Sequence, residues 1–331
     1  MGNAWKVTVW GARGSMPVAS AEFFGYGGNT ACISVDRGEG GIVVFDAGSG
    51  LARLGESLAE GPEESLADGK KEPEGSKGRG AGPMDRGREK RVHILLSHLH
   101  LDHIIGLFGF RLFHDPDAQI HIYGQGSGGS LQRQLEHLFV LPYWPLGLED
   151  MRADVRIHEV SPGESFFLAE NTERLGRVGE TKEAGCVRIH TLPGKHPGGS
   201  LLYRLEEGDK SLVHALDCEP DRELGEELAA FARNSSLLIW DGTFTKEELL
   251  RRKGWGHSSW EQGIGMRRAA GAALVLITHH APEHTDRFLQ EQEEQARAED
   301  EACCFAREGM VLWIGSGQPG YPVCRIQSWM R

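Results

Sequence analysis

Short apolar runs, each closed by glycine, proline or an acidic residue, recur along this chain and predict buried strands. Residues 7–10, 31–35 and 42–45 form the first three, separated by glycine-rich turns, and 92–96 forms a fourth. Further strand-like runs lie at 119–123, 187–191, 201–205, 211–216, 237–240 and 273–278. Helical spacing of apolar residues appears at 130–139, 223–233, 246–252, 259–271 and 286–298, and residues 104–108 read as the opening of another helix. Strands dominate early and mix with helices later, with no repeat of fixed period. That order predicts an α+β protein, with two sheets carrying helices on their outer faces as a four-layer sandwich, in a single domain over residues 1–331.

One segment breaks the pattern. From 61 to 90 the chain is dominated by Glu, Lys, Gly, Arg and Pro, with no aromatic residue. Such a stretch buries too little surface to offset its ordering entropy, so a flexible surface insertion is expected at 61–90, between two strands of one domain.

Composition narrows the function classes. The 331 residues carry a formal net charge of −12, which weighs against an extended nucleic-acid partner or an anionic membrane surface, since both call for basic protein surface. No apolar run approaches a membrane span and the start lacks a signal-peptide pattern, so a cytoplasmic location and no membrane partner are expected. The six cysteines (Cys32, Cys186, Cys218, Cys303, Cys304 and Cys324) show no CxxC spacing and read as reduced and mostly buried.

The chemistry concentrates where strands end. His98-Leu99-His100-Leu101-Asp102-His103 places four metal-ligand side chains within six residues, directly after the strand-like run at 92–96. Imidazoles and a carboxylate suit zinc or a similar divalent ion. Asp46 closes the run at 42–45, His196 lies in a Pro-Gly-rich loop before 201–205, Asp217 closes 211–216, and His279 follows 273–278. A lone strand-end aspartate is usually a turn residue and a lone histidine usually a packing residue. Five such elements in one order, in a chain of 15 histidines, carry more weight than any one of them.

This order resembles the metallo-β-lactamase superfamily over almost the whole chain. The resemblance implies an αββα sandwich with a two-metal site at one edge of the paired sheets. It implies that His98, His100 and His196 hold one divalent ion, that Asp102, His103 and His279 hold the second, and that Asp217 bridges them. Asp46 is implied as a residue supporting the ligand loop from behind. The ions implied are zinc, with manganese as the alternative. Retention of Asp217 and His103 separates the chain from the most familiar β-lactamases, and His100 separates it from flavodiiron-type members.

Gly254-Trp255-Gly256-His257-Ser258-Ser259 resembles the His-Ser-Thr loop of the phosphodiesterase branch, which includes ribonuclease Z. The resemblance implies that His257 assists the leaving oxygen and that Ser258, at a helix start, contacts substrate. Only 21 positions (217 − 196) separate His196 from Asp217, room for a turn and two strands, where ribonuclease Z usually inserts its tRNA-gripping arm. Trp10-Gly11-Ala12-Arg13-Gly14-Ser15-Met16-Pro17, Tyr26-Gly27-Gly28-Asn29-Thr30 and Pro142-Tyr143-Trp144-Pro145 resemble instead a bacterial group of small-substrate phosphodiesterases.

The expectation is therefore a dinuclear phosphodiesterase acting on a small phosphodiester, foremost a cyclic mononucleotide. Attack by a metal-bound hydroxide is expected, with Asp102 and His257 as the catalytic pair and a homodimer as the assembly suggested by relatives. The alternatives are a ribonuclease Z-like tRNA 3′-end endonuclease, a thioester or lactone hydrolase, and a non-catalytic binding protein on the same fold. Arg13 as a phosphate contact, Asn29 as its brace, Tyr143 and Trp144 as a base-stacking pair, and His280 or His284 as further site residues stay open at this level.

Overall fold

A computed structural model describes residues 4–38, 41–60, 90–168, 176–177, 187–315 and 323–329. The chain first lays down six strands: β1 (Trp5–Gly11), β2 (Cys32–Asp36), β3 (Ile42–Phe45), β4 (Lys90–Leu95), β5 (Ala118–Gly124) and β6 (Asp154–Glu159). Eight more follow: β7 (Ser165–Leu168), β8 (Gly176–Arg177), β9 (Val187–Gly194), β10 (Ser200–Glu207), β11 (Lys210–Ala215), β12 (Leu237–Asp241), β13 (Val275–Thr278) and β14 (Cys303–Phe305). It then returns through β15 (Met310–Gly315) and β16 (Val323–Trp329) to the first sheet.

The sheet orders are β16-β15-β1-β2-β3-β4-β5-β6 and β14-β13-β12-β11-β10-β9-β7-β8. Each sheet is half antiparallel and half parallel: β3 to β6 run parallel in one, β11 to β14 in the other. The helices are α1 (Gly50–Glu60), α2 (Leu101–Ile104), α3 (Leu131–Leu138), α4 (Arg222–Phe231), α5 (Lys246–Leu249), α6 (Trp260–Ala270) and α7 (Asp286–Glu299).

Strand alternation separates three apolar layers. In β3, Val43 and Phe45 face the space between the sheets, while Val44 packs with Leu51 and Leu54 of α1 and Leu131 and Leu135 of α3. In β12, Leu237 and Ile239 meet that central layer, while Leu238 and Trp240 pack under Leu228 of α4, Ile264 of α6 and Leu289 of α7. Strands covered on both faces must be apolar on both, which is why these runs read as continuous rather than alternating. The expected four-layer αββα sandwich is the architecture observed.

The structure also adds to the predicted elements. Helix α1 follows β3 directly, and its Gly55 lies where an added Cβ would sit 2.9 Å from Phe110. Residues 101–109 form a short α-turn and a 3-10 turn (Ile105–Gly109) rather than one helix. Of the expected insertion at 61–90, residues 61–89 lie outside the described residues, and Lys90 already belongs to β4. Cys32, Cys218, Cys303 and Cys304 are buried free thiols. Among the described residues no helix is long and apolar enough to cross a membrane.

Candidate metal centre

The carboxyl ends of the parallel strands in the two sheets converge on one edge, where α/β sheets commonly gather their functional loops. Asp46 follows β3, Ser97 to His103 follow β4, Asp217 follows β11, Asp241 ends β12 and His279 follows β13. Three of these, Asp46, Asp217 and His279, hold φ values of 57°, 51° and 62°. Left-handed backbone at a non-glycine residue costs energy, and here it turns the chain sharply at the strand end.

The structure brings all seven expected ligands together. Ligand atoms of His98, His100 and His196 lie within 4.8 Å of one another, and so do those of Asp102, His103 and His279. Asp217 stands between the groups: Oδ2 is 3.1 Å from His103 Nε2 and 3.3 Å from His279 Nε2, and Oδ1 is 3.7 Å from His196 Nε2. Asp102 Oδ2 lies 3.2 Å from both His103 Nε2 and His279 Nε2, and accepts the Ser15 backbone amide at 2.7 Å.

The partners of the other ring nitrogens define the tautomers. The Gly256 carbonyl, which can only accept, lies 2.9 Å from His196 Nδ1, so that nitrogen carries the proton. Asp46 Oδ2 lies 2.9 Å from His103 Nδ1, and its Oδ1 accepts the Ser97 amide at 2.7 Å. The Thr243 hydroxyl donates to Asp241 Oδ1 at 2.6 Å and so accepts from His279 Nδ1 at 2.8 Å. Three imidazoles thus commit Nδ1 to partners behind them and turn Nε2 toward one another and toward carboxylates, with His103 and His279 Nε2 only 3.2 Å apart. His98 Nε2 is buried with no hydrogen-bond partner. Converging lone pairs and carboxylates of this kind fit divalent cations, and the partners behind them are the sort that fix ligand orientation.

The electrostatics agree with that donor set. Burial, with the neighbouring imidazoles adding to it, pushes the His98 pKa well down, and burial also lowers His196, keeping both neutral. Burial would raise the Asp217 pKa, but His279, His103 and His98 hold it well below the usual carboxylate range. For His103, burial is outweighed by Asp217, Asp46 and Asp102, and its pKa rises. Carboxylate charge is in surplus around that ring.

His257 borders the cluster, its ring 5.3 Å from His279 and 5.2 Å from His196. Its Nδ1 lies 2.9 Å from Asp241 Oδ2. Burial works to lower the His257 pKa, but Asp241 and then Asp217 and Asp102 override it, raising it from 6.5 to about 9. With Nδ1 engaged by Asp241, the remaining nitrogen is the one available to a bound molecule.

Several sequence expectations move. Ser258 is fully buried and its hydroxyl donates to the Cys218 carbonyl, so it fastens the loop and is closed to substrate. The cap of α6 is Ser259, in a reciprocal capping box with Gln262. Arg13 is buried too, its guanidinium donating to the carbonyls of Gly27, Ala281 and His284, which makes it a loop fastener rather than a phosphate contact. Asn29 braces Ser49 and Glu308. Trp144 packs against Phe108, while Tyr143 is exposed. His280 faces the Ala306 carbonyl and His284 faces Glu248, both away from the cluster.

Three positions were not anticipated. Asp241 and Thr243 hold His257 and His279 from behind, and Glu219 accepts the backbone amides of Gly254 and Gly256 at 2.8 Å and 3.0 Å. The strand-end pattern Trp240-Asp241-Gly242-Thr243 carried a signal like that of Phe45-Asp46-Ala47-Gly48. Glu219 carried none.

Comparison with known proteins agrees with the fold. Residues 79–280 match the family model described as beta-lactamase superfamily domain. The chain is similar to the ribonuclease Z of Bacillus velezensis, 25% identical over 220 residues, covering 56% of this chain and 68% of that protein. A crystal structure of the metallo-beta-lactamase fold protein YhfI from Bacillus subtilis superposes with a TM-score of 0.61 at 18% identity, covering 94% of this chain and 100% of that one. One described as a new diphosphatase from the PhnP family superposes with a TM-score of 0.57 at 17% identity, covering 93% and 97%. The chain belongs to the beta-lactamase superfamily, and it is a metal-dependent hydrolase.

Proposed function

We propose that this hydrolase cleaves a small phosphodiester, foremost a cyclic mononucleotide, at a two-metal site. His98, His100 and His196 would hold one ion, Asp102, His103 and His279 the other, with Asp217 shared and zinc or manganese as the metal. When bound, two such ions supply charge neutralisation at the phosphate and bring the pKa of a water to about 7. The observation that carries the reading is His257, held at Nδ1 by Asp241 while its ring lies against both ligand groups.

The residues divide the work. Asp46, Thr243 and the Gly256 carbonyl keep three imidazoles in the tautomer a cation needs. Ser15 N–H holds the Asp102 carboxylate in place. His257, protonated and anchored by Asp241, donates from Nε2 to the departing alkoxide oxygen, a transfer that thioester cleavage, which expels a weakly basic thiolate, has less use for.

The relatives named ribonuclease Z favour a second reading, a tRNA 3′-end endonuclease. Against it, the chain between His196 and Asp217 holds only a short loop and the β10–β11 hairpin, turning at Gly208 and Asp209. Purified protein, with its metal content measured, is to be assayed on cyclic mononucleotides, linear diesters, precursor tRNA and a thioester. Preferred cleavage of the small diesters supports the proposal; preferred cleavage of precursor tRNA or thioester overturns it.

A further inference from the structure

A groove of about 450 Å³ opens beside the ligand histidines and shares His98 and His100 with them. Its size falls in the range of roughly 300–1,000 Å³ that holds small molecules. Leu99, Ile104 and Leu138 give it apolar surface, and Gln125, Ser127 and Gln134 give it polar surface. Among the described residues lining it there is no Asp, Glu, Lys or Arg.

The groove is built before anything enters it. Glu159 accepts the backbone amides of Gly126 and Leu131 at 2.9 Å and 2.8 Å, tying the loop after β5 to the end of β6. Gln134 clasps Ser127, accepting its amide at 2.9 Å and donating to its carbonyl. The Ser127 hydroxyl reaches the Gly198 carbonyl at 3.4 Å across the groove. Gly128, Gly198 and Gly199 have φ of 74°, 87° and 83°, and a Cβ on any of them would meet no atom within 4 Å, so peptide edges line the open space. Gln125, exposed on the same wall, takes part in none of these bonds.

We propose that this groove is the subsite for an uncharged, hydrogen-bonding substituent of the phosphodiester, a nucleoside, and that Gln125 and Ser127 are its specificity-determining residues. The inference rests on the phosphodiesterase reading and deepens it. A second phosphate drawn into the groove would lose water without gaining a side-chain cation, which is costly. A carboxamide offers a donor and an acceptor side by side, the pairing that matches a nucleobase edge, and the leucine and isoleucine surface suits the flat face of the ring.

The test uses metal-loaded enzyme and two esters with the same leaving group, the p-nitrophenyl ester of thymidine 5′-phosphate and ethyl p-nitrophenyl phosphate. The readout is the ratio of kcat/KM for the nucleoside ester over the ethyl ester. The wild type should favour the nucleoside ester by about tenfold or more. Gln125→Ala and Ser127→Phe, both at exposed positions, should each lower that ratio by about tenfold through KM of the nucleoside ester. A wild-type ratio near one, or variants that leave the ratio unmoved, overturns the subsite while the phosphodiesterase reading stands. Hydrolysis of neither ester overturns that reading and the subsite with it.

Discussion

Asp241 Oδ2 lies 2.9 Å from His257 Nδ1 and also accepts the backbone amide of Asp217 at 3.1 Å. One buried carboxylate at the end of β12 therefore orients the ring beside the cluster and fixes the turn that carries Asp217. Its other oxygen takes the Thr243 hydroxyl, which in turn holds His279.

If His257 acts as a proton donor, its worth depends on the leaving group. His257→Ala should lower kcat by about 10²–10⁴ on a diester with an alkyl leaving group. On a p-nitrophenyl diester, whose leaving group departs unprotonated, the same change should cost less than about tenfold. Asp241→Asn should follow the same pattern, since it removes the group that fixes the ring's orientation. Equal losses on both substrates would show that His257 holds the site together and donates no proton.

Two glycines of one loop separate backbone strain from contact with a ligand. Gly254 and Gly256 both have φ of 85°, but a Cβ on Gly256 would lie 2.4 Å from His196 Nδ1, and one on Gly254 would meet nothing within 4 Å. Gly256→Ala should weaken metal binding by about 10–100-fold, as loss of a ligand-orienting partner typically does. Gly254→Ala should cost about 1 kcal/mol of stability and leave metal affinity within about twofold. Titration against a competing chelating dye reads both, and equal affinities in the two variants would count against a role for Gly256 in holding His196.

Metal removal should also be visible in stability. Withdrawing a cation held at about 100 times its Kd costs the folded state about 2.7 kcal/mol. In a protein of this size that corresponds to a fall in Tm of about 3–5 °C on dialysis against a strong chelator, reversed by zinc or manganese. A Tm indifferent to chelator and to added metal would refute a cation at the cluster.

Away from the site, Glu293 on α7 accepts the Tyr26 hydroxyl at 2.7 Å and the Phe305 amide at 3.1 Å, and pairs with Arg307. Glu293→Ala removes the acceptor of a buried hydroxyl and a buried amide together with the carboxylate that faces Arg307, and should cost about 2–4 kcal/mol in a urea melt. Glu294→Ala, on the exposed side of the same helix, should fall within about 0.5 kcal/mol of the wild type. Similar costs for the two changes would show that the Glu293 cluster adds nothing net.

Strand positions were legible in the sequence because strands buried on both faces must be apolar throughout, as residues 237–240 and 42–45 are. The edge strand β6, the short strand β7 and the helix α1 were not. β6 alternates apolar and charged residues, and α1 carries two glycines, one of them required by Phe110 rather than by helix propensity. Ser258 was misjudged because a hydroxyl beside His257 looks the same on paper whether it faces a substrate or the Cys218 carbonyl.

The order of ligand-type residues at strand ends was determined by the sequence alone, since metal chemistry dictates residue type and each residue falls where an apolar run stops. What only the tertiary structure decided is which nitrogen of each ring faces its neighbours. That choice depends on acceptors brought from distant parts of the chain: Gly256 for His196, Asp46 for His103 and Thr243 for His279. A carbonyl can only accept, and a hydroxyl that has already given its proton must do so. These obligations arise when strands distant in the chain come together within each sheet, and no local stretch of sequence contains both partners of any of the three pairs.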